Sequence, residues 1–301
     1  MPDQKRYLRS NCLMSRRFQF EKLLPKFIRK MLPTSIRQRL RAHAVRIERL
    51  EFALGYFRPS LRRVESWVTE SQERTNFTYD LTDTNILYLA HIISAVVDKP
   101  VAEIGGYIEE ARSDRELAEH VSRCIAASPL CCEADEHVFW GRRLGWYALT
   151  RALKPKIVVE TGVDKGHGSV LICSALLRNK AESLPGRYYG TDINLEAGYL
   201  LTGKYSEVGE ILYGDSIESL KRLDSSIDLF INDSDHSAVY EYEEYQTILK
   251  NLIPGSVILA DNAHATDALA HFATEQNRKF LFFKETPKDH WYPGAGIGIS
   301  W

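Results

Sequence analysis

Past Lys156 the chain alternates short apolar runs with helix-like segments, and no other feature narrows its fold as much. The runs are "KIVVE", "RYYGTD", "EILYGD", "IDLFIND", "SVILAD", "KFLFFKE" and "GIGISW". Leu229, Phe230 and Ile231 are continuous rather than alternating in hydropathy, which is how a strand buried on both faces reads. Strands separated by helices predict an α/β fold with a parallel sheet and crossover connections. The last two runs are joined by "TPKDHWYPGA", too short and too rich in proline and glycine for a crossover helix. They are therefore expected to form an antiparallel pair.

Helical patterns precede the sheet. Leu40, Ala44, Ile47, Leu50 and Leu54 recur at helical spacing, and Asp83 is placed to cap "TNILYLAHIISAVVD". Pro100 ends that element and can open the next, Ser113 or Asp114 starts a third, and "EHVFWGRRLGWYALTRAL" reads as one further helix. Two parts are expected: a basic helical extension over 1–135, serving as lid or dimerisation region, and a sheet domain over 136–301. The net charge of −1 hides an uneven distribution, because residues 1–63 carry 17 Lys or Arg against 4 Asp or Glu. Such an arm can hold nucleic acid or anionic lipid. No RNA- or DNA-binding signature accompanies it, so packing on the acidic body or on a second copy, as a homo-oligomer, is expected instead. Five cysteines without paired C-x-x-C spacing argue against a disulfide framework or a zinc module and point to a reducing compartment. With no apolar run of spanning length and no apolar secretory stretch, a soluble, cytoplasmic protein is expected.

The chemistry-bearing residues cluster at strand ends. The first strand leads into "VVETGVDKGHGS", where Glu160, Gly162, Gly166 and Gly168 precede a helix. Glycines let the backbone approach a ligand, and the helix start offers free N–H groups. The spacing is E-x-G-x-x-x-G-x-G rather than the G-x-G-x-x-G of a dinucleotide site, and Glu160 suits a ligand with a cationic amine. Asp192 ends the second strand, where a carboxylate can accept ribose hydroxyls. Asp215 and Ser216 end the third. "NDSDH" follows the fourth, and "ADNAH" closes the fifth. Each acid alone reads as a helix cap, but successive strand ends carrying acids exceed what capping requires.

In these motifs, in this order, residues 156–301 resemble the class I S-adenosylmethionine-dependent methyltransferases. Among them the chain is most similar to small-molecule O-methyltransferases of the catechol and macrolide or aminocoumarin sugar types. The resemblance implies a Rossmann-like sheet of order 3-2-1-4-5-7-6 with strand 7 antiparallel. It implies that Glu160, Gly162 and Gly166 border the methionine portion of the cofactor, that Gly168 also belongs to the cofactor site, that Asp192 holds the ribose, and that Asp215 and Ser216 border the adenine. It further implies a divalent metal, magnesium by its all-oxygen set, on Asp233, Asp261 and Asn262. The base that takes the acceptor's proton would be His236 or Asp235, with the imidazole better matched to neutral pH. His167, His264 and Glu285 lie near these motifs, but each also reads as a helix-start or surface residue. The expected function is magnesium-assisted methyl transfer to a hydroxyl of a small molecule. A metal-independent enzyme acting on nitrogen or a carboxylate, and a non-catalytic module that binds RNA or membrane through the basic arm, are the rivals.

Overall fold

The computed structural model describes residue 28 and residues 31–75, 78–135, 137–261 and 263–301. Contacts divide the chain into two units, residues 1–70 and 71–301. Within the first, the described part is dominated by one long helix, α1 (Thr34–Glu70), which buries none of its residues.

The second unit opens with α2 (Asp83–Val97), α3 (Val101–Arg112), α4 (Arg115–Ala127) and α5 (Arg143–Leu153). Thr82, not Asp83, caps α2, its hydroxyl accepting from Asn85 N, while Asp83 sits one position later in the first turn. Asp114 caps α4 by accepting from Leu117 N at 3.0 Å. The helix expected over 136–153 is shorter. Gly141 adopts φ +52° beside the Tyr79 ring and backbone, so the helix starts only at Arg143 and leaves Arg142 as its cap.

The sheet then follows as β1 (Ile157–Thr161), α6 (His167–Ala181), β2 (Arg187–Asp192), β3 (Gly209–Tyr213), α7 (Ser216–Lys221), β4 (Ile227–Asn232), α8 (Ala238–Ile248), β5 (Leu252–Ala260), α9 (Ala268–Glu275), β6 (Phe280–Lys284) and β7 (Gly296–Ser300). Its order is β3-β2-β1-β4-β5-β7-β6, as expected. All neighbours are parallel except β7, which runs antiparallel between β5 and β6. Successive side chains of each strand feed opposite faces. Val158, Leu229, Ile231, Val257 and Leu259 join a core with α2–α6, whereas Val159, Phe230 and Ile258 join a second core with Tyr245 of α8 and Phe272 of α9. Both faces are thus covered, which is why these strands are apolar throughout.

The register sets the site. Thr161 of β1 lies opposite Thr191 of β2 and Asn232 of β4, and Asn232 lies opposite Ala260 of β5. The central strands therefore stop at one level, along the carboxyl edge where ligands bind in open α/β sheets.

Candidate active site

Ladder bonds continue one residue past the strands and fix the loops that follow. Gly162 N donates to Thr191 O, Asp233 N to Thr161 O and Asp261 N to Asn232 O, at 2.8–2.9 Å. Gly162 has φ +80°, and a Cβ there would lie 2.0 Å from Asp233 O, so only glycine lets the β1 and β4 loops touch. Above these loops is a cavity of about 760 Å³, within the range of small-molecule and cofactor sites. Glu160, Gly162, Gly168, Asp192, Asp215, Ser216, Asp233, Asp235 and His236 all line it. The structure thus brings together nearly all the residues singled out from the sequence. Gly166 and Asp261 are not on its wall, and Asn262 lies outside the described residues.

At the β1 end, Glu160 is buried and accepts from Tyr188 Oη at 2.5 Å and Ser169 Oγ at 3.5 Å. Burial pushes its carboxyl up to about 8 even though these donors oppose the shift. Gly168 has a packing role too, since a Cβ there would fall 2.4 Å from Trp146 and 2.5 Å from Glu160 Oε1. His167 Nε2 and Thr191 Oγ1, from two cavity-lining residues, are buried without a hydrogen-bond partner. Burial, with Arg143 and Lys165 nearby, holds His167 well below the usual imidazole range, so it presents a neutral ring.

Asp192 accepts from Val163 N (3.0 Å) and Asp164 N (2.9 Å) on one oxygen and from Asn194 N (2.8 Å) on the other. A carboxylate has about four acceptor positions, so capacity remains for a diol. Asp215 caps α7 through Glu218 N at 2.9 Å and accepts from Tyr240 Oη at 3.0 Å. Ser216 bonds Tyr240 Oη at 2.9 Å and donates to Glu244. Glu244, buried on α8, also accepts from Thr161 Oγ1 (2.9 Å), Ser234 Oγ (2.8 Å) and Asn232 Nδ2. Sequence reasoning missed this carboxylate, which holds the ends of β1 and β4 and the start of α7.

A cavity with this donor and acceptor set fits S-adenosylmethionine. It has room, a carboxyl and unpartnered polar atoms at the β1 and β2 ends, and an acid positioned for ribose hydroxyls.

Of the expected metal ligands Asp233, Asp261 and Asn262, the structure pairs Asp261 with a guanidinium, and Asn262 lies outside the described residues. Asp261 is fully buried and paired on both oxygens by Arg142, through Nε to Oδ1 at 2.5 Å and Nη2 to Oδ2. Arg142 lines the cavity, whereas Asp261 does not. Among the described residues no group of three His, Cys, Asp or Glu is placed to hold a metal ion. A guanidinium thus supplies the positive charge that balances the acids. Burial works against the Asp261 charge, but Arg142 outweighs it and holds this carboxyl below the usual range. Burial and the neighbouring Asp261 push Asp233 well up.

Arg142 is itself held from three sides. Its Nη1 donates to Tyr79 Oη at 2.8 Å and lies 3.6 Å from Glu285 Oε2, and its backbone N donates to Glu285 Oε1 at 3.1 Å. Tyr79 Oη in turn donates to Glu285 at 3.0 Å. Glu285 is therefore a buried structural acid, pushed up by burial, and not the surface residue that its position suggested. Tyr79 reaches the site because its segment is pinned to the β6–β7 connection, where Thr82 N donates to Thr286 O and Asn85 Nδ2 to Lys284 O.

The two candidate bases differ. His236 is half-exposed, with Nε2 3.9 Å from Asp233 Oδ1 and Nδ1 4.0 Å from Glu241 Oε1. Asp235 is exposed and accepts from Ser237 N at 2.8 Å, a bond that holds its carboxyl below the usual range and weakens it as a base. His264 is exposed and lines a separate hollow of about 430 Å³ between β5, β6 and α9.

A family model described as "Methyltransferase domain" matches residues 159–263, from within β1 to the turn after β5. No curated protein matches the chain. Among solved structures, an O-methyltransferase from Bacillus cereus in complex with SAH is 15% identical, with 62% of this chain and 90% of that one covered and a TM-score of 0.45. The O-methyltransferase TomG from Streptomyces achromogenes, involved in tomaymycin synthesis and in complex with SAM, is 17% identical, with 62% and 89% covered and a TM-score of 0.46. The SAH-bound methyltransferase PaMTH1 from Podospora anserina is 16% identical, with 62% and 87% covered and a TM-score of 0.44. Likenesses of this size do not bear on the substrate. The family match falls on the strands that bear the cofactor motifs, and the sheet has the class I order. Residues 159–263 thus match a methyltransferase domain, set on a sheet with the strand order that the resemblance implied.

Proposed function

We propose that the protein methylates a hydroxyl of a small molecule, with Arg142 in the electrostatic role that a divalent metal fills in the enzymes it resembles. The observation that carries this reading is the buried Arg142–Asp261 pair at the cavity wall, beside Asp233 and His236. S-adenosylmethionine supplies an electrophilic methyl group when bound. Glu160 and Asp192 bind its amine and ribose ends, and the loop at Asp215 and Ser216 borders its base. A hydroxyl must shed a proton to become a strong nucleophile, and His236, on the cavity wall 3.9 Å from Asp233, is the group proposed to take it. Arg142 and Arg143 favour the oxyanion that results, because a cation near a developing negative charge is worth most where water is scarce.

A second reading draws on the same two arginines. They would equally seat a carboxylate, which needs no base, so its methylation should survive loss of His236. Calorimetric titration with S-adenosylmethionine tests the cofactor site. Transfer of labelled methyl to panels of small hydroxylated and carboxylated compounds, with and without chelator, tests the acceptor. Activity abolished by chelation and restored by magnesium would show that a metal, not Arg142, fills the electrostatic role.

A further inference from the structure

The described helix that buries nothing carries a coiled-coil seam. In α1 the residues Leu40, Ile47, Leu54, Leu61 and Val68 recur every seventh position, and Ile36, His43, Leu50, Phe57 and Val64 recur three positions after each preceding a site. These are the a and d positions of a heptad repeat, and every one but His43 is apolar. An apolar a/d pattern sustained over about four heptads is what two helices need to supercoil with a knobs-into-holes seam. The seam is open, with Leu50, Phe57, Leu61 and Val68 each 58–64% exposed. The residues least suited to a helix interface lie off it, since Pro59 falls at f and Gly55 at b.

We infer that α1 pairs with α1 of a second copy of this chain as a parallel two-stranded coiled coil. Charge decides the orientation. In a parallel pair each g residue meets the e residue of the next heptad across the seam, which places Arg46 opposite Glu51 of the second copy, twice by symmetry. An antiparallel pair centred on the seam would instead bring the two Glu51 side chains together at its middle, a central repulsion that its Arg37–Glu65 pairs, out in the end heptads, do not relieve. Heptad position 43 adds a histidine layer, a polar step of the kind that fixes register. Phe52 and Tyr56, paired edge-on at 5.4 Å, lie outside the seam at f and c and take no part in it.

The inference is independent of the proposed methyl transfer, and the full chain tests it. Sedimentation equilibrium should give twice the 34.4 kDa chain mass at micromolar concentration. Leu50→Glu with Leu54→Glu should shift this to the monomer mass, while S-adenosylmethionine affinity and the thermal unfolding midpoint stay within error of the parent and certify the fold. Arg46→Glu and Glu51→Arg should each weaken dimerisation about tenfold or more, and the double charge reversal should recover most of the loss. A monomeric parent chain, a mass of three or four chains, a dimer that survives Leu50→Glu with Leu54→Glu, or a charge reversal that fails to rescue would each overturn the inference. So would a monomer that instead binds vesicles of anionic phospholipid through the same face, since that would make the helix a membrane-surface element.

Discussion

Replacing Arg142 with methionine should expose how the acids around the cavity are balanced. Methionine keeps the apolar stem and removes a guanidinium that pairs with both oxygens of Asp261 and also bonds Tyr79. Asp261 has no exposed surface, so it must remain as an unpaired buried charge or take up a proton. Removing one partner of a buried pair typically costs about 3–5 kcal/mol. Protonation sets an independent ceiling: holding a carboxyl neutral at pH 7 against an ordinary value of about 3.9 costs roughly 1.36 kcal/mol per pH unit, or about 4 kcal/mol. The parent's Asp261 is held low, so its contribution is present above the ordinary carboxylate value and is lost only as pH falls through its lower folded value. The variant's Asp261 would titrate high, so its penalty fades as pH falls toward 4. Urea unfolding followed by tryptophan fluorescence should therefore show a gap of about 3–5 kcal/mol at pH 7 that narrows by roughly 3–4 kcal/mol at pH 4. Adding Asp261→Asn should recover most of it at pH 7. A loss under about 1 kcal/mol, or one that does not change with pH, would refute the pairing argument. Stabilisation of the parent by millimolar magnesium would refute it too, because a metal could bind these acids only by displacing Arg142.

Two further expectations concern the cavity. With Glu160 near 8, its carboxyl is about 90% protonated at pH 7, and a cationic amine beside it should drive the proton off. Calorimetry of S-adenosylhomocysteine binding in buffers of different ionisation enthalpy should then report release of most of one proton, and Glu160→Gln should abolish the release. Without ligand, this raised value favours the folded state least at high pH, so stability should decline from about pH 4.5 to about 8, less steeply in Glu160→Gln. For the base, His236→Ala should lower turnover on a hydroxyl acceptor by roughly 10²- to 10⁴-fold with cofactor affinity unchanged. Asp235→Ala should stay nearly active, and the reverse pattern would move the base by one residue.

What can be read in the chain depends on whether its signal is local. Strands buried on both faces leave contiguous apolar runs, so all seven are visible, and "TPKDHWYPGA" discloses the antiparallel pair because no helix could occupy it. The acids at strand ends are visible for the same reason, since each follows its own strand directly. Arg142 is not. It reads as mid-helix because the apolar spacing of "VFWGRRLGWYAL" continues through it, whereas the turn at Gly141 is imposed by Tyr79, remote in sequence. Its partners lie 63, 119 and 143 residues away, a separation over which no periodicity or motif carries information. Glu285 reads as a surface acid for a related reason: its neighbours in the chain are exposed, but Tyr79, Arg142 and Ala295 close over it.

Glu244 has a consequence for how this protein can vary. Thr161, Ser216, Asn232 and Ser234 all donate to that one carboxylate, so the segments after three different strands share a single anchor. A substitution at any of the four alters the hydrogen-bond supply of the other three, and a buried carboxylate short of donors is costly. These positions should therefore change together or not at all. Attempts to retarget the enzyme by directed evolution would find them refractory one at a time. The productive freedom lies in side chains that face the cavity without hanging from Glu244, such as Tyr292 and Ile193.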